Sequence, residues 1–540
     1  MTKDEGRTAN SRPLIFVVRR SSFVVRHAMR GQFPHVRIVA ALVLLISLAA
    51  LSSVGLLSDG SRSSAAPSAI VSEGVEHVGA DVWHEAGFRG AGAKIGILDS
   101  GFHHYDERIQ QEELPADVIT RSFREFEFGS VEDASGTVMA EIVFDLAPEA
   151  QLYLLEIAFS DVGQFTQAVD WLIEQEVDII LYARNWLVGS SGDGQGPLTD
   201  KIEEASASGI LWVNKAGDAA QRHWRGEWED LDGCPQMLDP TGLGVGCLDF
   251  APGDDWNSIP NVVTGTLVSV GLRWDDGWDQ NAEINYDLFV ALEGTQITES
   301  SSSVPGAFGY PVEQVDWTVS DAGRYNVAVT RPPDETGSTR VELFLGWDIN
   351  LAFEYRVPAG SIMTPADAQG ALVVGAAHWT DDELEEFSSR GPTTDGRTKP
   401  DLVAPDGVST VTYWLSDEVS CDQGGSGACG TGAAAAHIAG AAALVKSAFP
   451  SLNPDEIVAF LKDRALDLGP PGADNGYGWG RLRLGSPPGQ EATPTPTSTL
   501  TATRRPTTAT PTSIISPTPT ATPGVELEAM LYLPIILKGE

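Results

Sequence analysis

The sequence places an aspartate, Asp99, directly after the apolar run KIGIL at residues 94–98. In an open α/β sheet the functional side chains gather where buried strands end, so chemistry is first expected here. A carboxylate at this position could orient and support an imidazole that acts as a general base. Because an Asp before a Gly or Ser is also a common turn former, Asp99 needs neighbouring motifs before it is given a role.

Several further segments have the spacing of one known motif set. They are SGTVMA at 135–140, APEA at 147–150, FSSRGP at 387–392, KPDLVAPDG at 399–407 and GTGAAAAHIAG at 430–440. With the Asp99 segment they resemble the subtilase family of serine proteases, whose catalytic Asp, His and Ser follow in this order. The resemblance spans residues 75–484 and implies a subtilisin-like fold with a serine endopeptidase site.

The same resemblance indicates that the catalytic triad is incomplete. Ser135 stands where the family has its general-base histidine, and Gly432 stands where it has its nucleophilic serine. A serine hydroxyl attacks a carbonyl usefully only when an imidazole removes its proton, so the retained Asp99 has no base to orient. We predict that Asp99 accepts a hydrogen bond from the hydroxyl of Ser135 instead.

Two supporting positions also differ from the family. Asp218 stands at the place of the oxyanion-hole asparagine, and an ionised carboxylate cannot donate a hydrogen bond; loss of one such donor typically costs about a hundred- to a thousandfold in rate. Residues 183–186, ARNW, stand where the family has a Ser-x-Gly edge that pairs with the substrate backbone. Ala183 and Asn185 are therefore the candidate substrate-binding residues. Arg184 and Asn185 replace small residues, so a substrate strand is expected to fit poorly.

Rescued catalysis would need a different set of residues. The candidates are His103, His104, His437, Thr431, Glu132 and Asp133. The two adjacent histidines follow Asp99 in a turn, which does not put an imidazole at a helix N-terminus. The third matches a structural histidine of the family and is expected to be buried and hydrogen-bonded. The threonine lacks an evident base, and the acidic pair would still need a serine nucleophile, so we favour an inactive scaffold.

The four cysteines lie in two local pairs without Cys-x-x-Cys spacing, Cys234 with Cys247 and Cys421 with Cys429. Outside the cytoplasm two short-loop disulfides are the favoured state, and free buried thiols are the alternative.

One acidic cluster could ligate a hard cation such as Ca²⁺. Its members are Asp275, Asp276, Asp279, Asn285 and Asp287. Their spacing fits no defined loop, so a solvated acidic surface is the favoured interpretation, and the sequence indicates no other cofactor.

The elements that position these residues alternate in type along the chain. Apolar strand runs alternate with helix-period segments over residues 71–264 and again over 357–485, which predicts an α/β domain with a mostly parallel sheet and helices on both faces. Between these parts, residues 265–356 hold short alternating runs separated by Gly, Pro, Asp and Ser, the pattern of an inserted antiparallel β-sandwich.

The ends of the chain differ in composition from its body. Residues 1–37 are basic, and residues 38–57 are free of charge and long enough to cross a hydrocarbon core of about 30 Å. The basic leader is expected to stay cytoplasmic, which puts the body outside on an uncleaved membrane anchor, with a cleaved signal peptide as the alternative. Residues 486–524 predict an extended Pro/Thr stalk, and 525–540 an apolar tail.

The formal net charge of −40 argues against nucleic acid and anionic lipid as partners. The sequence thus predicts a pseudoprotease outside the cytoplasm, single-pass in the cell membrane or secreted, that binds a peptide or protein. A divergent active endopeptidase and a structural cell-surface protein are the alternatives.

Overall fold

The computed structural model of the 540-residue chain describes residues 70–489, apart from 159–160, 232, 279–281, 296, 302–309, 334, 336–338, 347–349 and 415–426. The predicted leader, the apolar segment at 38–57, most of the stalk and the tail therefore lie outside the described residues. Within the described part, no helix is both long enough and apolar enough to cross a bilayer.

A seven-stranded sheet forms the centre of the α/β body. Its strands, all paired in parallel, have the spatial order β16-β15-β5-β4-β1-β3-β2. They are β1 (Lys94–Asp99), β2 (Ile119–Ser122), β3 (Gln151–Glu156), β4 (Ile179–Tyr182), β5 (Leu211–Lys215), β15 (Ala371–His378) and β16 (Leu402–Asp406). Most of their residues are buried because helices cover both faces of the sheet, as in other all-parallel sheets.

Nine helices are described in this body. They are α1 (Gly74–Val78), α2 (Ala80–Glu85), α3 (Tyr105–Gln110), α4 (Ser135–Leu146), α5 (Val162–Glu174), α6 (Pro197–Ala207), α7 (Val411–Trp414), α8 (Thr431–Ala448) and α9 (Pro454–Arg464). One apolar core joins the sheet to α4 and α8, and a second joins its other face to α5 and α6. The predicted α/β class with helices on both faces is confirmed.

Two antiparallel sheets form the inserted β-sandwich around a shared apolar core. The first sheet has the order β12-β9-β14-β6, and the second has β11-β10-β13-β7 with β8 also paired to β13. The strands are β6 (His223–Glu227), β7 (Gly246–Cys247), β8 (Asn257–Val262), β9 (Leu267–Trp274), β10 (Asp287–Leu292), β11 (Ile297–Ser301), β12 (Val312–Thr318), β13 (Gly323–Arg331) and β14 (Arg340–Gly346).

The β-sandwich begins earlier than the boundary of 265 that the sequence suggested. Its first strand, β6, starts at His223 and pairs with β14, and two more short strands precede residue 265. β6 has the sequence HWRGE, which lacks an apolar alternation, and its pairing partner lies more than a hundred residues further along the chain. Local periodicity does not reveal such a strand.

Cys234 and Cys247 form the predicted disulfide, with a Cα–Cα distance of 5.0 Å. Cys429 is disulfide-bonded as well, and its predicted partner Cys421 lies outside the described residues. No described cysteine is free.

Candidate functional site

The three predicted triad positions lie close together, where β1 ends and where α4 and α8 begin. Asp99 is the last residue of β1, and Ser135, the first of α4, donates its hydroxyl to Asp99 Oδ1 at 2.7 Å, as predicted. A Cβ added to Gly432, the second residue of α8, would lie 3.5 Å from Met139 Sδ, one turn along α4 from Ser135, and 3.7 Å from Ala183 Cβ. The sequence motifs therefore identify one location in the fold.

Arg184 occupies the centre of this location. It follows the end of β4, and its Nε donates to Asp99 Oδ1 at 2.7 Å while its Nη2 donates to Ser135 Oγ at 2.5 Å. The same Nη2 also donates to Asp133 Oδ2 and to Ser100 Oγ. These five residues, which we call the salt-bridge cluster, join the ends of two strands to the start of α4.

Sequence reasoning noticed Arg184 and Asp133 without finding this arrangement. From the sequence, Arg184 is interpreted only as an obstacle to substrate, and Asp133 only as part of an acidic pair that could replace the missing histidine. One signal was available: an arginine two residues after the buried strand IILY needs an acidic partner if it is to stay inside. The sequence does not say which acids turn towards it.

The charged groups of the salt-bridge cluster shift one another's pKa values. Burial raises the pKa of Asp99, and the neighbouring Arg184 only partly opposes this. Burial also raises the pKa of Asp133, but Arg184 and hydrogen bonds from Ser100 and Ser135 outweigh it, so that this pKa lies below its usual value. Burial lowers the pKa of Arg184, but Asp99 and Asp133 outweigh that effect, so its pKa is raised and it stays cationic.

Ser135 is poorly placed to act as a nucleophile. Its hydroxyl lies 2.7 Å from Asp99 Oδ1 and 2.7 Å from Asp133 Oδ1, and its oxygen accepts from Arg184. A nucleophilic oxygen needs a free lone pair and a base whose pKa is near the operating pH. Here the Arg184 guanidinium donates a hydrogen bond to the Ser135 oxygen and also pairs with the carboxylates of Asp99 and Asp133.

The three histidines considered for rescue make their hydrogen bonds elsewhere. The ring of His103 bonds the Gly129 carbonyl at 3.3 Å, and the ring of His104 faces Glu107 at 3.4 Å. His437 is buried, as predicted, with Nδ1 2.8 Å from the Ala433 carbonyl, and burial lowers its pKa to about 4. None of these rings reaches the Asp99 carboxylate through a hydrogen bond among the described contacts.

Asp218 caps the start of α8. Its Oδ1 accepts the backbone N–H of Thr431 at 2.9 Å and the hydroxyl of the same residue at 2.7 Å, and its Oδ2 accepts Lys215 Nζ at 2.9 Å. Burial would raise the pKa of Asp218, but Lys215 and the Thr431 N–H outweigh it and lower the pKa to about 2. A permanent negative charge thus takes up a helix N-terminus that would otherwise attract an oxyanion.

The hydroxyl of Thr431, the other candidate nucleophile, is occupied by the same contacts. Its side chain is buried, and its hydroxyl donates to Asp218 and accepts the Gly217 N–H at 3.2 Å. The N–H of the preceding residue, Gly430, donates to Asp406 Oδ2 at 3.1 Å. Two carboxylates therefore use the amides that lead into α8.

The candidate substrate edge is occupied by the chain itself. Ala183 and Asn185 are each only 6% exposed, and Asn185 Nδ2 donates to the Lys215 carbonyl at 3.3 Å. Trp186 forms an antiparallel bridge with Thr364, and its backbone N–H donates to the Thr364 carbonyl at 2.7 Å. Thr364 therefore already accepts the hydrogen bond that the Trp186 N–H could offer to an added strand.

The described carboxylates of the predicted Ca²⁺ cluster are used within the β-sandwich. Asp276 accepts the N–H groups of Glu283 and Ile284, each at 2.7 Å, and Asp275 faces Arg340 at 3.5 Å. Asp287 accepts from Asn285 at 3.1 Å, and Asp279 lies outside the described residues. Among the residues that the structure describes, no three His, Cys, Asp or Glu side chains converge as a metal site would require.

Comparison with known proteins adds sequence and fold relatives. The sequence profile of the subtilase family matches residues 355–480. Serine protease AprX of Bacillus subtilis is 34% identical over 148 residues, covering 24% of this chain and 32% of AprX. Minor extracellular protease Vpr of the same organism is 22% identical over 417 residues, covering 73% of this chain and 50% of Vpr. The chain thus spans half or less of the length of these two relatives.

A solved structure has a similar fold. The CspB protease of Clostridium perfringens superimposes with a TM-score of 0.52 and 15% identity, covering 76% of this chain and 97% of that one. At this identity the likeness concerns the fold alone.

Proposed function

Because the chain belongs to the subtilase family, we propose that it is a member that no longer hydrolyses peptides and that works outside the cytoplasm by binding a protein or peptide. One observation carries this proposal: the guanidinium of Arg184 lies between Asp99, Asp133 and Ser135, where a serine protease needs a neutral base. A cation that is always charged cannot accept the proton of a nucleophile.

Each step of peptide hydrolysis lacks a group at this site. With Gly432 at the nucleophile position, no side-chain oxygen is presented there. The acyl intermediate would also need donors for its oxyanion, and Asp218 offers a negative charge in their place. Because these losses concern different steps, a change at one position would not restore turnover.

Work outside the cytoplasm is supported by the Cys234–Cys247 disulfide, since such bonds persist in oxidising compartments. Vpr, a relative over most of the chain, is an extracellular protease by name. We propose that the apolar segment at 38–57 anchors the chain in the cell membrane, with its body outside.

Partner binding is proposed on the outer surface of the β-sandwich. The cleft edge at Trp186 is already paired with Thr364, which leaves little room for an added peptide strand. The segment around the disulfide exposes two leucines, Leu231 at 61% and Leu243 at 73%. Leu243 lies within the loop that the disulfide closes and Leu231 lies just before it, and such exposed apolar side chains are suited to contact with another protein.

Turnover of fluorescently labelled casein by the full-length chain tests the loss of activity, with an active subtilisin on the same plate to show that the assay works. We expect no release of fluorescence above the buffer rate. The matched controls are Ser135→Ala and Thr431→Val, which remove the two hydroxyls nearest the site. Casein cleavage that either substitution abolishes would show a working nucleophile and overturn the proposal.

A further inference from the structure

A second group of acidic side chains lies away from the salt-bridge cluster, where the first described residues of the chain cross α4. Glu141 and Asp145 lie one turn apart on α4 and so face the same side of the helix. Glu113 follows α3, and Glu73 precedes α1. Glu113 and Glu141 are only 7% and 2% exposed, and Glu141 Oε2 is buried without a hydrogen-bond partner.

These acids hold residues 70–73, which we call the N-terminal strap. The Ile70 N–H donates to Glu113 Oε1 at 3.4 Å, and the Ser72 N–H donates to Asp145 Oδ2 at 2.7 Å. Glu73, within the strap, accepts the N–H and the hydroxyl of Ser409 at 2.7 and 2.8 Å. The strap is therefore attached through carboxyl groups on both of its sides.

The strap also packs tightly against α8. Ser72 Oγ lies 3.1 Å from His437 Nε2, and a Cβ added to the next glycine, Gly74, would lie 1.8 Å from the same nitrogen. This contact leaves no space for a side chain at Gly74, the residue directly after the strap.

The positive charge near these acids is small. Arg108 is the nearest cation, with Nε 4.0 Å from Glu141 Oε1 and 3.0 Å from Thr412 Oγ1. Tyr413 from α7 interacts with Glu141, and His437 from α8 contacts the strap through Ser72, with His77 of α1 near His437. Burial raises the pKa of Tyr413 to about 12 and lowers that of His437 to about 4, so both are neutral at ordinary pH.

The two α4 acids keep their protons to unusually high pH. Burial raises the pKa of Glu141 to about 7, against hydrogen bonds from Thr412 and the charge of Arg108. Burial raises the pKa of Asp145 to about 8, with smaller contributions from Glu113, Glu141 and Glu73, although the hydrogen bond from the Ser72 N–H opposes this rise. When both ionise, four carboxylates face one guanidinium in a largely buried space, and such charges repel strongly when water is excluded.

We propose that residues 70–73 are a pH-operated strap, which is docked on α4 while Glu141 and Asp145 hold their protons and is released when both ionise. Release takes Glu73 away from the other acids and opens Asp145 to water. The strap is the part that yields, since its Val71 side chain is 55% exposed and few described hydrogen bonds join its residues to the body. α4 and α8, which it joins, also carry Ser135 and Gly432.

Hydrogen–deuterium exchange of the full chain, corrected for the intrinsic dependence of exchange on pH, measures docking of the strap. Between about pH 5.5 and about pH 9, on either side of the two carboxyl titrations, we expect protection of the strap amides to fall at least about tenfold. Protection of β15 amides serves as the internal reference and should not change. An unchanged strap across this range would overturn the proposal.

Neutral variants separate the strap from general loosening of the fold. In the double variant Glu141→Gln with Asp145→Asn the strap should stay protected at high pH. The matched control is Glu149→Gln, just beyond the same helix, where the carboxylate is half exposed and pairs with Arg89; it should keep the pH dependence. If the double variant does not fold, the single variant Asp145→Asn, which keeps an oxygen for the Ser72 N–H, should still weaken the pH dependence of strap protection. A strap that follows the wild-type curve in the neutral variants would also contradict the proposal.

Discussion

Arg184 fixes the character of the candidate site at the scale of single residues. It donates to Oδ1 of Asp99, which is fully buried at the end of β1, and it links that carboxylate to Asp133 and Ser135. Charges are tolerated in such a place only when they are paired, because an isolated buried carboxylate is strongly disfavoured. A side chain that would block catalysis in an active relative is therefore part of what holds this fold together.

Arg184→Met should destabilise the protein by about 3 kcal/mol, because removing one partner of a buried ion pair leaves the other uncompensated. Urea unfolding measures this loss. Adding Asp99→Asn to the same chain should recover a large part of it, since the neutral amide no longer needs the cation. Equal losses in the single and double variants would show that Arg184 acts through packing alone.

The N-termini of α4 and α8 are the elements on which the site is built. In α4 the first residue, Ser135, is bound by acids on both sides, and the start of α8 is capped by Asp218. Acidic side chains stabilise helix N-termini through the exposed amides and the helix dipole. The two helices thus gain from the same carboxylates that make the site unsuitable for an oxyanion.

Gly432 within α8 and Gly74, which packs against α8, should differ strongly in how they tolerate a small side chain. Gly432→Ser should change the free energy of unfolding by less than about 1 kcal/mol, because its Cβ finds ordinary contacts at 3.5 Å and beyond. Gly74→Ala should destabilise by about 2 kcal/mol or more, because its Cβ would lie 1.8 Å from His437. Thermal unfolding of both variants measures the contrast. A strongly destabilised Gly432→Ser would mean that α8 has closed around the nucleophile position.

Sequence reasoning predicted the parts of the fold that depend on local pattern. The buried strands, the α/β class, the Asp99–Ser135 hydrogen bond and the Cys234–Cys247 disulfide all followed from periodicity, motif order or spacing. It missed β6, whose pairing is with a distant strand, and the central place of Arg184. Both depend on which side chains and backbones meet in space, and spacing along the chain does not contain that information.

At the scale of the whole molecule, buried acids divide into two groups. Burial raises the pKa of one group: Glu141 to about 7, Asp145 to about 8, and Asp367 and Asp406 above their usual values. In the other group burial opposes ionisation, but lysine or arginine partners outweigh it and lower the pKa; its members are Asp218, Glu342 and Asp401. Stability therefore depends on pH in both directions.

The thermal midpoint of the full chain should be highest in mildly acidic solution. The raised acids contribute stability that is present below an unfolded pKa of about 4 and is lost as pH rises through their folded values, up to about pH 8. The lowered acids contribute stability that is present above about pH 4 and is lost as pH falls below it. Scanning calorimetry from about pH 3 to about pH 9 measures the loss of thermal stability on the acidic side and on the alkaline side. A midpoint that rises steadily towards alkaline pH would contradict this balance.

Whether any side chain in the site can act as a nucleophile is tested most directly by a fluorophosphonate, which bonds to activated serine and threonine hydroxyls. The full-length chain would be incubated with the reagent and its intact mass recorded beside an active subtilisin. The account predicts no adduct on this chain while the active enzyme is fully labelled. A one-to-one adduct on a described serine or threonine, absent after denaturation, would show that the site still performs the first step of peptide hydrolysis.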